Sequence, residues 1–79
     1  MNYFLLVFDP PTGTLILGPE RFADTDRAKA LARRFELERE MLLSHPQYEI
    51  VVLGAESEDA IRRTHARYFL SAKELLSAK

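Results

Sequence analysis

The segment IRRTHARYF, residues 61–69, sets three arginines around one histidine and ends on two aromatics. Arg62, Arg63 and Arg67, with Lys73 beyond them, are the residue types that contact phosphates, and neighbouring aromatics can stack on bases. His65 could serve as a general base, but that chemistry needs an orienting partner and a substrate cavity, and the sequence points to neither. A third reading needs no ligand. On a helix Ile61, Tyr68, Ala72 and Leu75 form one apolar stripe, with His65 and Phe69 on its flank and the basic residues on the other side. Glu58 precedes Arg62, and Asp59 precedes Arg63, at the i, i+4 spacing and in the order that favours ion pairs on a helix. The expectation is therefore a solvated, self-paired face. Nucleic-acid binding through Arg62, Arg63, Arg67 and Lys73 is the alternative.

Other reactive constellations are weaker. The junction LGAESEDA, residues 53–60, joins a glycine to a helix start, where free N–H groups attract anions. Glu56, Glu58 and Asp59 crowd that end and would repel a phosphate, and no GxGxxG or GxxxxGK[ST] pattern occurs. His45 and His65 show no metal-ligand pairing, and cysteine is absent. Glu36 and Glu40 share a helix face but lack a histidine at the spacing of a di-metal carboxylate site, and read as solvated charges among Arg33, Arg34 and Arg39. No serine stands in a GxSxG elbow. No catalytic, cofactor or metal residue is assigned, and no small-molecule ligand is evident. The expectation is a protein that is not an enzyme.

Composition bounds the rest. A chain of 79 residues is one domain, 1–79, near the lower size at which a core is self-sufficient, since so small a domain buries only ~60% of its unfolded surface. With no cysteine there is no disulfide staple, so packing or a partner must supply stability. An apolar fraction of 47% with 29% charged residues is that of a globular protein. A net charge of −1 lacks the basic excess usual in nucleic-acid binders. The apolar start MNYFLLVFD has no leading positive charges or cleavage site and is too short to span a bilayer, so a cytoplasmic protein is expected.

The elements that must position these residues follow from local pattern. NYFLLVF, residues 2–8, reads as a strand, and DPPTG as a turn in which Pro11 presets φ and Gly13 accepts positive φ. TLILG, residues 14–18, is the return strand, closed by Pro19. ADTDRAKALARRFELEREMLLS is helical: Asp24 or Thr25 can cap it, and Ala28, Leu31, Ala32, Phe35 and Leu42 share one face. Leu37 and Met41 form a small patch opposite. His45-Pro46 ends the helix. YEIVVLG, residues 48–54, is the third strand, and Ser57 caps a final helix.

The order β-β-α-β-α predicts an α+β fold. The hairpin pairs strands one and two antiparallel, and the helical crossover makes strands two and three run parallel, with right-handed connection. The most apolar strand, the first, takes the centre of a 2-1-3 sheet. Compactness predicts a two-layer sandwich with both helices on one face, closing a core against Phe4, Leu6, Phe8, Ile50 and Val52. That leaves an open apolar face of Tyr3, Leu5, Val7, Val51 and Leu53, the expected interface of a homodimer or of a protein partner.

The stretches YFLLVFD, FELERE and EIVVLGAESEDAIRRTHARYF resemble a group of small uncharacterised α/β proteins of actinobacteria and their phages. The likeness covers most of the chain and is most specific at its end. It implies no activity and no site residues.

Overall fold

The structure, a computed structural model, describes residues 1–69. Strand β1 (Asn2–Asp9) turns into β2 (Thr14–Phe22), a 3-10 turn at Asp24–Asp26 leads into α1 (Arg27–Met41), and β3 (Glu49–Ala55) is followed by α2 (Glu58–Thr64) and a second 3-10 turn at Ala66–Tyr68. The sheet order is β2-β1-β3, and both neighbours run antiparallel to β1. β2 and β3 therefore point the same way on either side of the centre, as the helical crossover requires. This is the expected α+β fold in the 2-1-3 order.

The β1–β2 turn is made as its residues dictate. The Gly13 N–H donates to the Asp9 carbonyl at 2.8 Å, Gly13 takes φ 67°, and the Thr12 hydroxyl donates to the Asp9 carboxylate at 2.7 Å. β2 does not stop at Pro19 but continues to Phe22. Proline is tolerated there because β2 is an edge strand and is bulged. Val7 pairs with Leu17 while Phe8 pairs with Leu15, so Ile16 is an extra residue, and Leu15 and Leu17 point to opposite faces. A second irregularity separates the Val7–Leu17 and Leu5–Glu20 pairs, spanning Gly18 and Pro19. Gly18 has φ 98°, and a Cβ there would run into the Leu5 carbonyl oxygen, so the position accepts only glycine.

The β1–β3 register runs unbroken from Asn2–Ala55 to Phe8–Glu49. Residues directly opposite share a face. Phe4 and Leu6 thus stand with Leu53 and Val51, and Leu5 and Val7 with Val52 and Ile50. This corrects the expected grouping, which set Val51 and Leu53 beside Leu5 and Val7 and was out by one residue, enough to exchange the faces.

The two helices lie on opposite faces. Ile61 and Tyr68 pack on Phe4, Leu6 and Phe8, whereas Leu37 packs on Leu5 and Val7. The expected two-layer sandwich with both helices on one face is therefore replaced by helix, sheet and helix. Two thin cores forgo some contacts, but leaving Leu5, Val7, Ile50 and Val52 in water would cost ~1.5–3 kcal/mol for each side chain. Covering both faces of β1 wins. Every residue from Phe4 to Phe8 is at most 5% exposed.

The helix starts differ. Ser57 caps α2 as expected, its hydroxyl accepting from the Ala60 N–H at 3.1 Å. Neither Asp24 nor Thr25 caps α1, because the chain enters it through the 3-10 turn and its N-cap, Asp26, makes no side-chain capping hydrogen bond. The final helix is also shorter than expected. α2 ends at Thr64, His65 takes φ −128° and ψ 48°, and the chain resumes as a 3-10 turn. Ala72, Lys73 and Leu75 lie outside the described residues.

Candidate functional site

The five residues expected to form one open face do not. Leu5 and Val7 are fully buried under α1, and Tyr3 lies on that side of the sheet through its pairing with Phe22. Val51 and Leu53 are on the other side, packed against the cluster of Ile61 and Tyr68. The two-sided apolar strand made surplus apolar surface look like an interface, whereas it is the demand of a second helix.

The surplus sits instead on α1, whose orientation is the reverse of the one expected. Ala30 and Leu37 are buried, and Met41, half-buried, packs against the same core. Of the stripe read as core-facing, Ala28, Ala32, Phe35 and Leu42 are exposed, with Phe35 at 67% and Leu42 at 66%, and Leu31 is half-buried. Leu43, just beyond the helix, is 93% exposed. The helix carries two apolar stripes, and the sheet takes the weaker one. Leu37 and Met41 were visible in the sequence as the lesser patch, but Ala30 was not counted with them, and a stripe of Ala30, Leu37 and Met41 has helical spacing too. Beside the inward stripe, Arg33 bonds the Glu36 carboxylate and lies 3.6 Å from Glu20 on β2. The hydrogen bond to Glu36 and the nearby Glu20 charge hold the Arg33 guanidinium above its ordinary pKa.

Around this exposed stripe Ala32, Phe35, Glu36, Glu38, Arg39 and Leu42 line an open groove. A smaller hollow of about 190 Å³ adjoins it, with walls that include Glu38, Met41, Leu42, His45, Tyr48 and Ile50. His45 stacks on Tyr48 at 4.5 Å between ring centroids, and its Nδ1 lies 3.1 Å from the Ser44 hydroxyl. This is an apolar ledge with a charged rim, suited to a protein surface.

The arginine segment is occupied from within. Arg62 donates to Glu58 and lies 4.5 Å over the Phe69 ring. Arg67 donates to Glu49 at 3.1 Å and to the Tyr68 hydroxyl at 2.7 Å, and lies over the Tyr68 and Phe8 rings at 4.4 and 5.7 Å. Partial burial works against the Arg67 cation, the Tyr68 oxygen and the Glu49 carboxylate work for it, and the balance leaves its pKa above the ordinary arginine value. Arg63 is exposed, and no Asp59–Arg63 ion pair forms among the described residues. The segment thus clamps the second 3-10 turn to the sheet. The Arg67 cation doubles as the lid of the Phe8–Tyr68 aromatic pair, whose ring centroids are 5.1 Å apart.

His65 is half-buried beside this clamp, 6.2 Å from the Tyr68 ring centroid. The Thr64 hydroxyl donates its proton to the Ala60 carbonyl at 2.9 Å, so the contact of 2.8 Å between Thr64 Oγ1 and His65 Nδ1 needs the proton on the imidazole. A hydroxyl, not a carboxylate, orients the ring. Among the described residues no group of three or more His, Cys, Asp or Glu could hold a metal ion, and no helix is long and apolar enough to cross a membrane. Comparison with protein-family models, with curated proteins and with solved structures finds no match to this chain.

Proposed function

We propose that the chain is a small, non-enzymatic, cytoplasmic protein-interaction module whose working surface is the outward face of α1. The observation that carries this reading is the exposed stripe of Ala28, Ala32, Phe35 and Leu42, with two large side chains about two-thirds in water. Scattered apolar residues on a surface are ordinary, but a row at helical spacing along one element is a contact patch. It lies outside both cores, so its apolar character is not needed to fold the chain.

Nucleic-acid binding is the alternative with less behind it. Arg62 and Arg67 are engaged by Glu58, Glu49 and aromatic rings, and Lys73 lies outside the described residues. The test of the main reading is the mass of the tagged chain in an extract of its source cells. The wild type is expected in an assembly heavier than its own 9.1 kDa, and a Phe35→Asp, Leu42→Asp variant at the monomer mass with its fold intact. Equal masses for the two would overturn the reading.

A further inference from the structure

The outward face of α1 has a self-complementary order. Ala28, Phe35 and Leu42 recur at intervals of two helical turns, with Phe35 at the middle of the row. If a second α1 is laid across the first antiparallel, with Phe35 on Phe35, Ala28 comes opposite Leu42 of the second copy, and Leu42 opposite its Ala28. Small faces large at both ends, which is how two helices interdigitate at the usual 8–10 Å separation. A parallel alignment would instead set Ala28 on Ala28 and Leu42 on Leu42, with a gap at one end and crowding at the other. Opposed helix dipoles add to the preference.

From this complementarity of size we infer that the occupant of the face is a second copy of this chain, its α1 antiparallel to the first. The inference rests on the proposed function and names its partner. In the pair, helices α1 form the centre, each sheet lies behind its own helix, and α2 stays at the outside.

The natural chain has no cysteine, so engineered thiols report without background. Purified Ala28→Cys and Leu42→Cys chains, mixed under mild oxidation, are expected to cross-link to each other, with little product from Ala28→Cys alone. Self-linking of Ala28→Cys in preference to the mixed product would overturn the antiparallel arrangement. A purified chain that stays at 9.1 kDa at high micromolar concentration, without cross-linking, would overturn the second copy as occupant. If the assembly in extract were nonetheless lost on Phe35→Asp, the interaction surface would stand and only its partner would change.

Discussion

The two faces of the sheet are covered in opposite styles. On the face of Phe4, Leu6 and Phe8 the cover, among the described residues, is a seven-residue helix and a 3-10 turn, and arginines lie over its aromatic rings. On the face of Leu5 and Val7 the cover is a fifteen-residue helix that buries Ala30 and Leu37 and turns Phe35 and Leu42 to water. The same problem, an apolar strand with two naked sides, is solved once by self-sealing and once by an element that remains apolar on its back. A cover sealed by its own ion pairs and cation–π contacts has finished its work on folding. One that keeps a second apolar stripe has contact area left to bury.

The sharpest way to break this comparison is to truncate the inward and outward residues of α1 separately. Leu37→Ala should cost about 2–5 kcal/mol in denaturant unfolding, because it leaves a cavity against Leu5 and Val7. Phe35→Ala should change the stability of the monomer by no more than about 0.5 kcal/mol, since its ring is 67% exposed. Ile61→Ala, on the opposite face, should cost as much as Leu37→Ala, because it is fully buried too. Equal effects at Phe35 and Leu37 would erase the distinction between the two sides of α1.

Gly18→Ala follows in size. The added methyl meets the backbone of β1, the strand both cores share, at a φ that L-residues avoid, and a loss of about 1–3 kcal/mol is expected in a thermal or denaturant melt. Ser57→Ala removes the cap of α2 and should cost about 1 kcal/mol, felt on the Ile61 face alone. Smallest is Glu58→Gln. It breaks an exposed i, i+4 pair with Arg62 and should change stability by less than about 0.5 kcal/mol, with the difference fading at high salt.

Much of the fold was legible in the sequence, and the reasons are local. Aromatic and β-branched runs marked three strands, Pro11 and Gly13 marked the hairpin turn, Ser57 marked a helix start, and the excess of apolar side chains in residues 2–8 marked the central strand. The side of the sheet taken by each helix was not legible. It depends on the β1–β3 register, where a shift of one residue exchanges the faces and leaves the pattern of Ile50, Val51, Val52 and Leu53 unchanged in character. The orientation of α1 was hidden for a related reason. Two apolar stripes compete on that helix, and the sheet takes the smaller, on the side where Arg33 reaches Glu20 of β2, a contact that exists only once the fold is formed. The arginine segment was half legible: the Glu58–Arg62 pair follows from spacing, but Arg67 finds Glu49 only once β3 and the 3-10 turn are adjacent.

The central claim is that the back of α1 is free in the monomer and covered on association. Thiol labelling of an Ala32→Cys chain tests it most directly, since Ala32 lies in the exposed stripe and the substitution spares Phe35 and Leu42. Immediate labelling is predicted at low protein concentration, with progressive protection as concentration rises and a Leu37→Cys chain protected throughout. Protection of the thiol at position 32 at every concentration would place this face inside the fold, and labelling unchanged at every concentration would deny it a second copy as partner; either result contradicts the claim.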